Sequence, residues 1–218
     1  MTEPTVVHVM RHGQVHNPDG VLYGRLPGFG LSELGHRMAA RMAEHWRSAP
    51  LTHLRCSPLQ RARETLQPTA ELFPSLEVVI DDRVIEAANA FEGKVFGSDN
   101  RALRDWRMLR YVLNPLKPSW GEPYIDIAAR MRAAIIDAAG AAGQGGQALV
   151  VSHQLPIEMA RRDAESRPLA HDPRRRRCTL VSVTSFTFRD GHVTAVDYAE
   201  PAADLLPVKR RRGFQVGT

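Results

Sequence analysis

The sequence predicts an α/β fold: a three-layer α/β/α sandwich with a mostly parallel central sheet and a C-terminal antiparallel hairpin. Three observations carry that prediction. Val6 to Met10 and Ala148 to Val151 are short apolar runs rich in valine, the pattern of strands buried on both faces of a sheet. Between them lie stretches with apolar residues at helical spacing, and strands that alternate with helices pair in parallel. Near the C terminus, Cys178 to Phe188 and His192 to Tyr198 are two strand candidates joined through Asp190-Gly191, a two-residue hairpin signal.

A chain of 218 residues can bury a full-sized core in one domain. We assign residues 1–200 to that domain, with 87–123 as a cap or specificity insertion and 201–218 as a basic tail. No run approaches the roughly 18 apolar residues of a membrane span, and the N terminus has no secretory-type apolar stretch. A cytosolic protein with no membrane partner is expected. The two cysteines, Cys56 and Cys178, have no metal-type spacing and read as small buried core residues. The net charge of +5 comes mainly from arginine and favours anionic ligands, without separating a small phosphate ester from nucleic acid.

In chain order, the first strand ends in Arg11-His12-Gly13, where the glycine permits a sharp exit. Ligands of open α/β sheets gather outside the carboxyl ends of the strands, so a guanidinium and an imidazole there make a candidate anion site. Residues 14 to 30 form a loop rich in glycine and proline. Ser32 is a candidate N-cap for a helix over about 32–48, with Leu34, Met38, Met42 and Trp46 as its apolar stripe. Thr52 to Cys56 is a second strand. Ser57-Pro58-Leu59-Gln60 then has the form of a capping box with proline at the first helical position, and Arg61 falls in the first turn of the helix it opens. A helix amino terminus favours anions, and arginine adds bidentate donors for phosphate.

Leu76 to Ile80 is a third strand, followed closely by Glu86. A helix is expected near 99–113, carrying Arg101, Arg104, Arg107 and Arg110 beside Leu103 and Trp106. We read it as an amphipathic cap with a solvated basic side in preference to a nucleic-acid surface. An alanine-rich helix follows from Tyr124 to Ala142. Ala148 to Val151 delivers Ser152-His153-Gln154 before a helix beginning near Pro156. The basic runs Arg174 to Arg177 and Lys209 to Arg212 read as solvated surface.

Arg11, His12, Arg61, Glu86 and His153 thus fall at strand ends or at the starts of the helices after them. With these motifs the sequence resembles the histidine phosphatase superfamily, of phosphoglycerate mutase-like fold, from about Val6 to Tyr198. The motifs that carry the resemblance are Arg11-His12-Gly13, Ser57-Pro58-Leu59-Gln60-Arg61-Ala62, Glu86 ahead of Phe91-Glu92-Gly93, and Ser152-His153. It implies His12 as the nucleophile that takes up the phosphoryl group, with Arg11, Arg61 and His153 holding the phosphoryl oxygens. Asn17 is implied as a further phosphate-binding donor, and Glu86 as proton donor to the leaving alcohol and then base for water. Glu92 competes for the proton-donor role but matches the loop-anchoring acidic position. Gln154 is placed among the phosphate-binding residues, where family members commonly carry glycine, and Val15 stands where they carry threonine or serine. Those two departures imply a differently lined pocket.

The resemblance implies a metal-independent, cofactor-free phosphomonoester hydrolase acting on a small phosphorylated metabolite or other phosphomonoester. A homodimer is compatible with it. The stretch between Glu86 and Ser152 is short for the closing insertion of a cofactor-dependent mutase, which makes phosphotransfer of the mutase type the second reading. A non-catalytic phospho-ligand or protein-binding module is the third.

Overall fold

The computed structural model describes residues 3–89, 91–94 and 121–206. The expected helix at 99–113 and the run Lys209 to Arg212 lie outside them. The elements in order are β1 (Thr5–Arg11), α1 (Glu33–Trp46), β2 (Leu51–Cys56), α2 (Gln60–Leu72), β3 (Val78–Ile80), α3 (Tyr124–Ala142), β4 (Gln147–Ser152), α4 (Gln154–Ala164), β5 (Val183–Arg189) and β6 (His192–Ala199).

The six strands form one sheet in the order β3-β2-β4-β1-β5-β6. β4 pairs in parallel with both β1 and β2, and β2 in parallel with β3, while β5 runs antiparallel to β1 and β6 antiparallel to β5. The α/β/α sandwich with its C-terminal hairpin is therefore the observed fold. Asp190 (φ 50°) and Gly191 (φ 80°) make the hairpin turn, both in the left-handed region that a tight two-residue connection requires.

Side chains alternate across the central strands and divide the core into two layers. Val7, Val9, Ala148 and Val150 pack against α3 and α4 with Ile127, Met131 and Ile157. Met10, Leu54, Leu149 and Val151 pack on the other face against α1 and α2 with Met38, Met42 and Leu66. Cys56 and Cys178 are buried free thiols, pushed by burial up to about 12 and about 11 respectively, which keeps them protonated.

Register sets the functional edge. Arg11 pairs with Ser152 and Cys56 with Val151, so β1, β2 and β4 end together. Because β5 runs the opposite way, with Val183 opposite Met10, the segment leading into it arrives at that same edge.

Three expectations are corrected. Ser57 does not cap α2: the helix begins at Gln60 behind Leu59, no side chain caps it, and Gln60 bonds Glu64 within the helix. The Ser57 hydroxyl accepts only from the N–H of Leu59, at 3.4 Å, and its short contact is with Nε2 of His153 at 2.8 Å. The strand expected from Cys178 begins only at Val183. Val181 takes φ 49°, and Cys178 and Ser182 turn their carbonyls to Arg11, which breaks the extended run. Finally, the first residues of the expected tail pack on the core: Ala202 is buried, with Leu205 and Leu206 against the α1/α2 layer.

Candidate active site

Arg11, His12, Arg61 and His153 are almost fully excluded from solvent, with relative exposures of 3%, 2%, 1% and 0%. The strand ends bring them together. The rings of His12 and His153 lie with centroids 5.1 Å apart, tilted 56° to one another.

Each side chain is held by a specific partner. Nδ1 of His12 lies 2.8 Å from the carbonyl oxygen of Gly13. A carbonyl only accepts, so Nδ1 carries the hydrogen and the Nε2 lone pair is left free. Burial, then the charges of Arg61 and Arg11, hold this imidazole well below its ordinary pKa, and it is neutral. The same causes in the same order, with His12 between the two arginines, depress His153. Gly13 is fixed in turn: its N–H donates to Thr65 Oγ1 (3.0 Å), and a side chain here would meet the Gly35 backbone oxygen at 2.9 Å. The exit from β1 is thereby clamped between α1 and α2.

Arg11 donates from Nη1 to the Cys178 carbonyl at 2.8 Å, and Arg61 from Nη2 to the Gly24 carbonyl at 2.7 Å. The Arg61 guanidinium also lies over the Tyr23 ring, 4.7 Å from its centroid. Gly24 takes φ 38°, in the left-handed region that favours glycine, and the Glu92 side chain fills the place where a Cβ would stand. Arg11 Nε, Arg61 Nε and His153 Nδ1 are buried with no hydrogen-bond partner among the described residues. Buried donors without partners are costly. Three of them on four coupled cationic or imidazole groups make a site able to hold a tetrahedral anion.

Glu86 is half-buried, its Oε1 accepting from the N–H of Ala87 at 2.8 Å. Its charge works against the lowering of the Arg61 pKa by burial. Its backbone is pinned by residues the sequence reading did not single out. Arg130 donates to the carbonyls of Arg83 (2.6 Å) and Ile85 (2.8 Å), and Arg25 to that of Glu86 itself (2.7 Å). Glu122 holds both arginines, 2.7 Å from Arg130 and 2.9 Å from Arg25. Ser57 and Thr65 were likewise missed as site-builders. Ser57 looked like a cap, and Thr65 lies one turn after Arg61 with nothing in its local pattern to mark it.

Glu92 accepts from the N–H of Asn89 at 3.3 Å, in a turn whose Gly93 and Lys94 pair with Leu22. The Asn17 carboxamide closes its own loop on the N–H and C=O of Val21, at 3.0 and 2.9 Å. Gln154 reaches the Cys178 carbonyl, which Arg11 also uses, at 3.4 Å. A separate groove of about 810 Å³ runs along α2 and shares only Arg61 with the buried cluster. No helix among the described residues is long and apolar enough to cross a membrane.

The family model for the histidine phosphatase superfamily (branch 1) matches residues 7–201. An uncharacterized Mycobacterium tuberculosis protein, Rv0525, is 48% identical over 203 residues, covering 93% of this chain and all of that one. Among solved structures, Bacillus stearothermophilus YhfR superposes with a TM-score of 0.72 at 22% identity, over 87% of this chain and 94% of its own. The mycobacterial glucosyl-3-phosphoglycerate phosphatase Rv2419c gives 0.70 at 24%, over 90% and 97%. With the two-histidine, two-arginine cluster at one sheet edge and a family match across nearly the whole chain, this protein belongs to branch 1 of the histidine phosphatase superfamily.

Proposed function

We propose that the protein hydrolyses phosphomonoesters through a phosphohistidine on Nε2 of His12, without a metal. The observation that carries this reading is the Gly13 carbonyl on Nδ1, which leaves a neutral imidazole with its Nε2 lone pair free among buried cationic donors. In the first step Nε2 attacks phosphorus and the bond to the ester oxygen breaks, while Glu86 gives its proton to the departing alkoxide. Arg11, Arg61 and His153 hold the three peripheral oxygens, so that charge moving through the transferring group meets preformed donors. In the second step water attacks phosphorus and gives its proton to the Glu86 carboxylate. The N–P bond breaks, returning neutral His12 and inorganic phosphate. The phosphatase Rv2419c shares this fold and so does a Bacillus anthracis phosphoglycerate mutase, so it is the short stretch between Glu86 and Ser152 that favours hydrolysis over phosphotransfer.

The test is turnover of 4-nitrophenyl phosphate in EDTA, together with phosphate labelling of quenched enzyme. Wild type should turn over and carry an acid-labile label, and His12→Ala should lose both. Undiminished activity in His12→Ala, or loss of activity with the chelator, overturns the mechanism. A phospho-ligand binding module would bind phosphate and never label.

A further inference from the structure

Three successive backbone amides around His12 are each held by a different segment. The N–H of Arg11 donates to the Ser182 carbonyl and that of His12 to the Ser152 carbonyl, both at 3.1 Å. These acceptors are backbone groups of the sheet edge: Ser152 is the last residue of β4, and Ser182 directly precedes β5. At Gly13 the strand pairing is over. The third amide turns to a side chain, the Thr65 hydroxyl at 3.0 Å.

That hydroxyl has a single arrangement of bonds open to it. It lies 2.6 Å from the carbonyl oxygen of Arg61, one turn earlier in α2, and a carbonyl only accepts. Its one hydrogen is therefore directed at Arg61, and toward Gly13 it presents a lone pair. Polarity then runs one way from the imidazole to the helix. His12 Nδ1 donates to the Gly13 carbonyl (2.8 Å), the Gly13 N–H to Thr65 Oγ1 (3.0 Å), and Thr65 Oγ1 to the Arg61 carbonyl (2.6 Å). Thr65 is buried, at 0% exposure, so bulk water does not compete for these bonds.

Glycine makes the middle link matter. The N–H and C=O of Gly13 lie in two peptide planes joined at a Cα without Cβ, the joint with the widest torsional freedom. Fixing the amide on one side of that Cα steadies the carbonyl on the other. Without the hydroxyl the Gly13 N–H would be buried with no acceptor, a cost the chain can relieve by rotating the joint and so moving the carbonyl off His12.

We infer that Thr65 is a positioning residue for the nucleophile: its hydroxyl fixes the Gly13 joint, so that the Gly13 carbonyl keeps the hydrogen of His12 on Nδ1 and the lone pair on Nε2. It also ties the backbone of Arg61 to the backbone beside His12, which keeps one spacing between the two. The effect on turnover rests on the phosphohistidine reading above. The effect on the tautomer does not.

Nitrogen-15 NMR of the His12 ring at about pH 8, above the ordinary histidine pKa, reads the tautomer directly. The signals of that ring are those missing from His12→Ala. Wild type should show one tautomer, with hydrogen on Nδ1. Thr65→Val keeps the shape and removes the hydroxyl; it should show both tautomers in exchange and a kcat on 4-nitrophenyl phosphate about 10-fold lower. Its phosphate affinity by calorimetry should stay within about 2-fold of wild type, because Arg11, Arg61 and His153 keep their side chains. Thr65→Ser, with the hydroxyl restored, should recover the single tautomer and most of kcat. Where Thr65→Val does not fold, Thr65→Ala is read in the same way. A wild-type tautomer in the folded variant, an unimpaired kcat beside mixed tautomers, or a loss that Thr65→Ser does not recover overturns the inference. Failure of the hydrolase reading shows differently: wild type then turns over no 4-nitrophenyl phosphate, while the tautomer still follows the Thr65 hydroxyl.

Discussion

The Ser57 hydroxyl lies 2.8 Å from Nε2 of His153, joining the end of β2 to the end of β4 across the floor of the site. When the hydroxyl donates to Nε2, the ring hydrogen sits on Nδ1, the nitrogen that is buried with no partner among the described residues. On the proposed mechanism that nitrogen faces a phosphoryl oxygen. Ser57→Ala frees the tautomer and should lower kcat about 10-fold, near the ~1.4 kcal/mol upper range for one hydrogen bond. Ser57→Thr keeps the hydroxyl and should recover most of it. Steady-state kinetics on 4-nitrophenyl phosphate checks both, and an unimpaired Ser57→Ala would remove the tautomer argument.

Burial of the two site histidines makes stability depend on pH in a definite direction. Both rings are held well below their ordinary value of 6.5, chiefly by desolvation, and His8, His53 and His171 shift the same way for the same first cause. As pH falls through 6.5 the unfolded chain takes up protons on these rings and the folded chain does not, so stability is lost on the acid side. Above 6.5 neither state is protonated and these groups contribute no further slope. Urea midpoints should fall steadily from about pH 7 to about pH 5, and His153→Asn should flatten part of that slope. A midpoint unchanged over that interval would contradict neutral burial.

What could be read from the sequence follows from what local pattern encodes. The two histidine-tipped strands were legible because doubly buried strands are continuous apolar runs, and parallel pairing then fixes which ends share an edge. Ser57 was misread because its serine-proline-glutamine context is chemically a helix cap. The closest partner of the hydroxyl is His153, distant in sequence. Arg176 was illegible for another reason: four successive arginines look alike, and which one turns inward is decided by His171 and Gln154 in space. The Arg25–Glu122–Arg130 brace has no local signature at all, since it joins a loop to α3 across residues that share no periodicity.

The donors on Arg11, Arg61 and His153 that have no partner among the described residues imply that an anion should stabilise the fold measurably. At a phosphate concentration 100 times its dissociation constant, linkage gives about 2.7 kcal/mol, or a Tm rise of roughly 5–10 °C for a domain of this size. Thermal unfolding with phosphate, and with chloride at matched ionic strength, separates site binding from screening. Arg61→Gln should abolish the phosphate-specific part. Equal shifts with the two salts would mean that the cluster holds no phosphate.

The brace behind Glu86 gives the sharpest separation between binding and proton transfer. Arg130 and Arg25 grip the carbonyls of Arg83, Ile85 and Glu86, and Glu122 fixes both guanidinium groups. Glu122→Gln weakens both ion pairs while leaving the phosphate-holding residues untouched, so the carboxyl of Glu86 loses its aim and the phosphoryl pocket does not. Proton donation matters most when the leaving group is a poor one. An alkyl phosphate should therefore lose about 10- to 100-fold in kcat, within the range by which general acids contribute, whereas 4-nitrophenyl phosphate, whose phenolate departs unaided, should lose far less. KM should change little for either. Equal losses on the two substrates would place Glu122 in the packing of the segment alone and would leave Glu86 without a demonstrated proton to give.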